Sequence, residues 1–363
     1  MSQIKIFLYS TLLVTLTGFL FYFSQKPDPL INELVSLNSK HKLIEITPLN
    51  DENSHESISL LSSGAIKANI FNEDKPTKEL IIKLEGTSDN LENILLLKLQ
   101  SESDIEDIAK DYEELNIVSY AEPDYEFELD SEKVSGPEIV IDGNSMTRPA
   151  KQEETNEEII VAVVDSGVDF YHPDLKNRLV DGWDFLNNQQ KVIDDIGHGT
   201  HIAGIVIKNS DNAMVMPLKF TDQKSGKMSA AIKSIKYAVD HDAKIINLSF
   251  GFDKEAKALK EAIDYAVEKD VIVVAASGNK NSEQKYYPAA WENVISVAAT
   301  NKKNQKAYIS NYGEWIKFSA LGERVYSAEP NRKHGYRTGT SQAAPVVSAK
   351  VADILVSLKS SEQ

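Results

Sequence analysis

Apolar and polar positions change in regular blocks along the C-terminal part of the chain, from residue 158 onward. Residues 159–164 form an uninterrupted apolar run, which is typical of a strand buried on both faces of a sheet. Further short apolar runs alternate with segments of helical period, so the pattern predicts an α/β fold. In this doubly wound fold a mostly parallel sheet carries helices on both faces. The predicted strands are 159–164, 214–220, 243–248, 271–276, 292–298 and 315–320, and the predicted helices are 198–207, 229–240, 254–269 and the run after Ser341.

The preceding region has a different pattern, which predicts a small α+β unit over residues 78–130. Its strand-like segments are 78–84 and 117–125, and its segments of helical period are 90–99 and 103–115. A unit of this size buries little surface and is marginal alone. Residues 25–77 show no clear period and are interpreted as a polar spacer. Residues 131–157 are turn-rich and polar, which predicts an exposed linker open to proteolytic processing.

The first 24 residues contain an uncharged segment, 6–23, between Lys5 and Lys26. Its length just reaches a membrane span, and its aromatic end, residues 21–23, suits a membrane interface. This end lacks the small-x-small pattern of a signal-peptidase site. The pattern therefore favours an uncleaved signal-anchor with the body of the protein outside the cytoplasm. A cleaved secretory signal remains the alternative, and a buried soluble helix fits the extreme N-terminus poorly.

Acidic residues are concentrated in one part of the chain. Residues 30–150 hold 26 Asp and Glu against 10 Lys and Arg, whereas residues 151–363 hold 28 against 27. This asymmetry indicates two differently built regions, and no basic patch suggests nucleic-acid binding. The chain has no cysteine, which excludes disulfides, thiolate metal sites and a lipoprotein anchor but does not fix the compartment.

Reactive side chains stand at several predicted element ends. Asp165 follows the first strand, the segment 249–251 follows another, and Asn279 follows a third; His198 and Ser341 each stand at the start of a helix. Because sites in parallel sheets lie beyond the carboxyl ends of the strands, we expect these groups to gather at one edge. An acid, a base, an amide and a hydroxyl are the parts of an acyl-transfer site.

Each residue also has an ordinary structural interpretation. Ser341 alone would be a helix cap, Asp165 a capping or calcium-binding acid, and Asn279 a turn residue. His198 and His201 are three residues apart and could bind a metal, but no motif places a third ligand and HExxH is absent. It is the set of four, in the order Asp, His, Asn, Ser, that favours catalysis.

Four segments resemble the signature segments of the subtilisin-like serine proteases. They are AVVDSGV at 162–168, GHGTHIAG at 197–204, ASGN at 276–279 and GTSQAAP at 339–345. The resemblance covers roughly residues 158–358. Residues 119–125 resemble the end of the family's inhibitory propeptide, which would make the unit 78–130 an intramolecular chaperone and inhibitor. The resemblance implies that the tail of this unit lies across the active site until it is cleaved.

The same resemblance implies roles for the site residues of a catalytic domain over 158–363. Ser341 would be the nucleophile, His198 the general base and acid, and Asp165 the residue that orients the imidazole. The Asn279 side chain and the Ser341 N–H would bind the oxyanion. The implied substrate-binding residues are Ser249, Phe250, Gly251, Ser277 and Gly278. Polypeptides are the expected substrates, and Phe250 indicates an apolar or aromatic substrate side chain.

The family resemblance implies no cofactor or metal for the chemistry. The family often binds structural calcium, for which the candidate acids are Asp169, Asp174, Asp194 and Asp195, although no complete calcium loop matches. Asp195 is also a candidate substrate-side acid near His198. The leading hypothesis is a self-processing serine endopeptidase zymogen. The alternatives are a protease-like binding module and a domain whose chemistry is limited to self-cleavage.

Overall fold

The computed structural model describes residues 33–34, 36–49, 58–59, 77–85, 94–127, 129, 132–140, 158–222 and 226–362. The chain folds as two units. The first comprises residues up to Pro123 except 49–52 and 88–92, and the second comprises those two short segments and residues 124–363. The predicted signal-anchor of residues 1–24 lies outside the described residues, as does most of the predicted spacer 25–77. Within the described part of the chain, no helix has the length and apolar character needed to span a bilayer.

The first unit is a five-stranded antiparallel sheet with one substantial helix. Its elements are α1 Asn38–His41, β1 Leu43–Pro48, β2 Ile58–Ser59, β3 Thr77–Leu84, β4 Ile94–Gln100, α2 Ile105–Glu113 and β5 Val118–Pro123. The strand order is β2-β1-β4-β3-β5. Helix α2 is amphipathic, and its Ile108 and Tyr112 join the buried core beneath the sheet. This is the α+β architecture expected from the sequence.

Two expectations for the first unit are wrong. The segment 90–99, predicted as a helix, contains strand β4, which pairs with β1 on one side and β3 on the other. Its leucine-rich sequence has good helix propensity, but pairing along both edges outweighs that preference. Strand β1 lies inside the predicted spacer, and its Leu43 and Ile46 join the core.

The second unit contains the predicted α/β sheet. Its elements are β6 Glu126–Phe127, β7 Glu132–Val140, β8 Ile159–Asp165, β9 Trp183–Asp184, α3 His198–Asn209, β10 Ala213–Lys219, β11 Gly226–Lys227, α4 Met228–Asp240, β12 Ile245–Leu248, α5 Lys257–Glu268, β13 Ile272–Ala276, β14 Ile295–Thr300, β15 Phe318–Leu321, β16 Val325–Glu329, β17 Lys333–Thr338 and α6 Thr340–Glu362. Seven of these strands form a parallel sheet in the order β15-β14-β13-β12-β8-β10-β9. The predicted fold class is confirmed.

Helices pack on this sheet in two pairs, α3 with α6 and α4 with α5. The buried core between the sheet and the first pair uses alternate residues of β8, namely Ile159, Val161 and Val163. The intervening residues, Ala162 and Val164, are also fully buried. A strand covered on both faces explains why this segment is an unbroken apolar run.

Two small antiparallel sheets complete the second unit. Strand β6 pairs with β11, and β7 pairs with β17, which in turn pairs with β16. Strand β7 lies inside the range 131–157 that was predicted as a linker. The Gly136-Pro137 pair that suggested a turn falls where the β7–β17 register shifts, so these turn residues occupy a bulge within a strand.

Candidate active site

The parallel sheet brings several predicted site residues to one edge. Leu248 of β12 is paired with Val164 of β8, so the residues that follow them, Ser249 and Asp165, stand side by side. Strand β13 lies next to β12 and ends at Ala276, directly before the predicted residue Ser277. The carboxyl ends of three adjacent strands therefore supply the floor of the site.

Asp165 and His198 form a buried pair at this edge. His198 Nδ1 lies 2.8 Å from Oδ1 and 2.9 Å from Oδ2 of Asp165. The side chains are almost fully buried, with residue exposures of 0% for Asp165 and 1% for His198. A carboxylate facing Nδ1 places the proton there and leaves the lone pair on Nε2. His198 Nε2 has no hydrogen-bond partner among the described residues, so it is available to accept a proton.

Asp194 fixes the turn that carries His198. Its Oδ1 accepts hydrogen bonds from Ser166 Oγ at 2.8 Å, Gly197 N at 2.8 Å and Ile196 N at 3.1 Å. Its Oδ2 accepts from the backbone N of Thr200 at 2.8 Å and from Thr200 Oγ1 at 2.6 Å. The carboxylate thus caps the first turn of α3, whose N–H groups lack partners within the helix. It also ties that turn to the residue after Asp165.

Gly199 allows α3 to approach the end of β8. A Cβ atom at this position would lie 2.2 Å from the carbonyl oxygen of Gly167 and 3.2 Å from Cβ of Asp165. The Gly199 backbone N also donates to Ser166 Oγ at 2.9 Å. Gly167 itself has a φ of +108°, a left-handed conformation that side chains rarely adopt. Close backbone contact therefore holds His198 against Asp165.

Ser341 lies at the start of α6, beside the same strand ends. Its Oγ donates to the carbonyl oxygen of Ser249 at 2.9 Å, and Ser249 Oγ donates back to the carbonyl oxygen of Ser341 at 2.9 Å. Because Ser249 stands next to Asp165, this reciprocal pair places Ser341 one strand from the Asp165–His198 pair. Ser341 is 2% exposed.

Asn279 is held by the residue before Ser341. Its Oδ1 accepts from Thr340 N at 2.8 Å and from Thr340 Oγ1 at 3.0 Å. Thr340 Oγ1 also accepts from Gly278 N at 3.0 Å. These bonds fix which end of the Asn279 amide faces Thr340, and Nδ2 is the donor end. The Asn279 side chain is thereby tied to the residue directly before Ser341, whose N–H is the second predicted oxyanion group.

Asn311, for which no motif predicts a role, organises the loop that carries Asn279. Its Nδ2 donates to Ser277 O at 2.8 Å, and its backbone N donates to Gly278 O at 2.9 Å. Its Oδ1 accepts from the backbone N of Lys280 at 2.9 Å and of Ser282 at 3.2 Å. The side-chain amide therefore satisfies three backbone groups around residues 277–282, and the Asn311 backbone N–H satisfies a fourth. No motif surrounds Asn311, so only the folded chain reveals it.

The predicted substrate-binding residue Phe250 belongs to an aromatic cluster. Its ring centroid lies 4.4 Å from that of Phe220 and 5.0 Å from that of Phe127. Phe252 completes the cluster, with its centroid 4.8 Å from that of Phe127. Gly251 lies between the two phenylalanines, and a Cβ there would meet Tyr287 O at 2.4 Å. Strand β6 thus inserts Phe127 where an apolar substrate side chain was expected.

The four calcium candidates do not converge on one site. Asp194 is occupied by the five hydrogen bonds described above, and Asp195 pairs with Lys219 at 2.6 Å. Asp169 accepts from the backbone N of Tyr171 and of Asn331. Because their oxygens are directed to protein donors in separate places, these residues do not fit a calcium loop.

Asp174, the fourth candidate, pairs with a histidine. His334 Nε2 lies 2.7 Å from Asp174 Oδ2, and this hydrogen bond lowers the pKa of Asp174. His172 lies close enough for the three residues to offer metal ligands. However, Nδ1 of His334 is buried without a partner among the described residues, which places the proton on Nε2. A metal at Nε2 would force that proton onto Nδ1, which has no acceptor among the described residues, so the geometry favours a hydrogen-bonded histidine–carboxylate pair over a metal site.

His201, the other histidine of this segment, is fully buried in α3. Burial holds its pKa well below the usual value, so it is neutral at neutral pH. Among the described residues, His198 and His201 do not meet a third histidine or acid in metal-binding arrangement. The metal interpretation of this histidine pair therefore has no geometric support in the described residues.

Comparison with known proteins gives consistent matches. The sequence profile of the subtilase family matches residues 156–361. A thermophilic serine proteinase of Bacillus sp. (strain AK1) is 37% identical over 203 residues, covering 53% of this chain and 51% of that protein. Thermitase of Thermoactinomyces vulgaris is 38% identical over 208 residues, covering 54% of this chain and 74% of thermitase. The crystal structure of a lanthipeptide protease superimposes with a TM-score of 0.51 and 27% identity, covering 53% of this chain and 72% of that one.

A parallel sheet that carries a buried Asp–His pair and a serine at a helix start is an arrangement that acyl-transfer hydrolases use. The chain belongs to the subtilase family, whose members similar to it are serine-type endopeptidases. The match spans about half the length of the first of these relatives and about three quarters of thermitase. The family assignment agrees with the resemblance found in the sequence.

Proposed function

We propose that this protein is a serine endopeptidase that hydrolyses polypeptides through Asp165, His198 and Ser341. The observation that carries the proposal is the buried His198–Asp165 pair, with Nδ1 held at 2.8 Å and Nε2 lacking a partner in the described chain. Ser341 is bonded to the neighbouring strand end through Ser249. An oriented imidazole beside a serine at a helix start is the arrangement that activates a hydroxyl for attack.

In the proposed reaction, Ser341 Oγ attacks the scissile carbonyl carbon while His198 Nε2 takes the hydroxyl proton. The oxyanion is bound by Asn279 Nδ2 and by the Ser341 N–H, in the first turn of α6 where the helix dipole favours negative charge. His198 then gives its proton to the leaving amine as the C–N bond breaks. Asp165 stabilises the imidazolium, and a water molecule hydrolyses the acyl-enzyme by the reverse sequence.

We further propose that the protein is a zymogen whose own chain occupies the substrate cleft. Strand β6 pairs antiparallel with β11, as an extended substrate would. Asp124 accepts from Ser229 N at 2.8 Å and from Ser229 Oγ at 2.7 Å at the start of α4. Phe127, the inserted aromatic residue of β6, is 1% exposed. Polar, backbone and aromatic contacts together anchor the tail of the predicted propeptide 78–130.

The scissile bond of self-processing would lie within residues 128–131. Phe127 on β6 and Glu132 on β7 are the two fixed ends of this stretch, and Glu132 is paired with Thr338, three residues before Ser341. A bond between these two ends is the proposed target of the Ser341 hydroxyl. The proposed cleavage thus lies at the boundary between the predicted propeptide 78–130 and the predicted linker 131–157, at or before the start of the range where processing was expected.

Self-processing is tested by expressing residues 25–363 beside the Ser341→Ala form and sequencing the N-termini. We expect a new N-terminus within 129–131 in the parent protein and none in the variant. A fluorophosphonate probe should label the processed protein at Ser341. Identical cleavage in both forms would contradict self-processing, and absence of labelling after propeptide removal would favour the binding-module alternative. Labelling without hydrolysis of added peptides would favour chemistry limited to self-cleavage.

The contacts that hold the propeptide tail are tested with Phe127→Ala. Removing this ring from a fully buried aromatic site costs about 3–5 kcal/mol of packing, so the propeptide should be a weaker inhibitor and activation should be faster. Tyr125→Ala is the matched control, since its ring meets Phe252 at 5.9 Å and is only partly buried. Equal activation rates in the two variants would contradict the proposal that Phe127 holds the propeptide tail in the cleft.

We also propose that the protein acts outside the cytoplasm. Extracellular and cell wall-associated proteases occur among its relatives. Tethering through residues 6–23 stays a prediction, which fractionation of the full chain would test. N-terminal sequencing of the mature enzyme would reveal whether that segment remains attached.

A further inference from the structure

The two segments that were predicted to bind substrate lie next to the proposed reacting groups. They follow β12 and β13, which are adjacent in the sheet. Ser249, in the first segment, exchanges hydrogen bonds with Ser341. Gly278, in the second segment, directly precedes Asn279. A substrate whose scissile carbonyl lies at Ser341 would therefore direct the side chain before that bond into the gap between the two segments, which is the first pocket.

The ring of Tyr286 lies in this gap. A Cβ atom at Gly251, in the first segment, would lie 2.6 Å from Cε1 and 2.8 Å from Cδ1 of Tyr286. A Cβ atom at Gly278, in the second segment, would lie 3.0 Å from Cγ and 3.0 Å from Cδ1 of the same ring. One glycine of each segment thus faces the same side chain. Because Tyr286 is only 6% exposed, its ring is enclosed between the two walls of the pocket.

Backbone hydrogen bonds hold Tyr286 in this position. The next residue, Tyr287, exchanges backbone hydrogen bonds of 2.8 and 2.9 Å with Phe252, the residue that follows Gly251. The carbonyl oxygen of Tyr286 accepts from the backbone N of Ala290 at 2.9 Å. A residue whose backbone is fixed in this way has little freedom to withdraw its ring from the gap.

We propose that Tyr286 determines the selectivity of the first pocket by filling it, so that the enzyme cleaves after small residues such as glycine, alanine and serine. The inference rests on the proposed function, because it assigns the substrate class of the same site. A large side chain would have to displace the enclosed ring, since a close-packed interior leaves no free volume of that size. A side chain of one or two heavy atoms makes no such demand.

The aromatic preference that Phe250 indicated then belongs to a different part of the substrate. The Phe250 ring packs against Phe220 and Phe127, with centroids 4.4 and 5.0 Å away. Phe127 precedes the stretch in which the processing bond is proposed. An aromatic substrate residue would bind in this cluster, upstream of the residue at the scissile bond, and the first pocket would accept only a small side chain.

Two peptide anilides test the first pocket. In an anilide, a chromogenic amine replaces all residues after the scissile bond. The two peptides differ only in the residue directly before that bond, which is alanine in one and phenylalanine in the other. We expect the processed parent enzyme to show kcat/KM at least ~10-fold higher for the alanine peptide. In Tyr286→Ala, which empties the gap, kcat/KM for the phenylalanine peptide should rise at least ~10-fold relative to the alanine peptide.

Two control variants separate the ring from its surroundings. Tyr286→Phe keeps the ring and should keep the preference of the parent. Tyr287→Ala removes the neighbouring ring, which is half-buried and lies 5.4 Å from the ring of Trp291, and should also keep that preference. Because the readout is a ratio between two substrates of one protein sample, partial unfolding of a variant lowers both rates and leaves the ratio unchanged.

Three results would overturn the inference while leaving the endopeptidase function intact. They are a parent enzyme that hydrolyses the phenylalanine peptide as fast as the alanine peptide, a parental ratio in Tyr286→Ala, and an equal change of ratio in Tyr287→Ala. If Tyr286→Ala does not fold, the ratio of the parent enzyme decides. If neither peptide is hydrolysed and the fluorophosphonate probe does not react, the proposed function fails, and this inference fails with it.

Discussion

Asn279 offers a single-residue test of oxyanion binding, because its two amide ends have different partners. In Asn279→Asp the Oδ1 that accepts from Thr340 is kept and the Nδ2 donor is lost. We expect kcat to fall ~100- to 1000-fold, the size known for the corresponding amide of subtilisin, a relative, with little change in KM. Steady-state hydrolysis of a peptide anilide, a substrate with residues only before the scissile bond, measures kcat and KM. Thermal unfolding of the same protein measures its stability. A large loss of folding stability would mean that the residue is mainly structural.

Asp194 shows how a residue outside the reacting groups positions one of them. Asp194→Asn replaces an acceptor of five hydrogen bonds by a group that presents N–H to buried donors. We expect a loss of about 1–3 kcal/mol in unfolding free energy and a lower kcat, because the turn carrying His198 loosens. Urea unfolding measures the change in unfolding free energy, and hydrolysis of the peptide anilide measures the change in kcat. Asp253→Asn is the control, since Asp253 is exposed and pairs with Lys280 only at 3.8 Å, and it should change neither.

At the scale of elements, the contact of α3 with β8 decides the geometry of the site. In Gly199→Ala the new methyl would meet Gly167 O at 2.2 Å, and the backbone there cannot move without displacing Asp165. The helix must shift, and a displacement of about 1 Å can cost ~100-fold in rate. Gly335→Ala is the control, because its nearest neighbour is the Glu329 side chain at 3.0 Å. Full activity in Gly199→Ala would show that the close packing is not required.

The elements also show what could be predicted from sequence and what could not. Asp165, His198, Asn279 and Ser341 could be proposed as site residues from the sequence because each follows or begins an element with a strong local pattern. Strand β4 was mistaken for a helix because its leucines suit both states, and its partners β1 and β3 are remote in sequence. The roles of Asn311 and Phe127 were missed because each depends on contacts that only the folded chain creates. Local signals point to the proposed reacting groups, whereas the residues that support them depend on long-range packing.

For the whole molecule, acid should act on activity and on stability through different histidines. In the proposed mechanism activity should fall on acidification, because a protonated imidazole at position 198 cannot accept the Ser341 proton. Stability falls because His201 and His172 are buried and their pKa values are lowered by that burial, whereas the unfolded chain protonates them at about pH 6.5. The unfolded state therefore binds more protons below that pH. Unfolding free energy should be steady above about pH 6.5 and decrease as the pH falls toward the lowered folded-state values.

Replacing His201 separates the two effects. His201→Leu removes one buried titrating group, so the slope of unfolding free energy against pH below about 6.5 should become smaller, whatever its effect on overall stability. The acid loss of kcat/KM should remain, because His198 is unchanged. His241→Gln, at an exposed position beyond the end of α4, should alter neither profile. An unchanged slope in His201→Leu would assign the acid sensitivity of the fold to other groups. A value of kcat/KM that stays constant from neutral pH to about pH 4 would exclude His198 as the base.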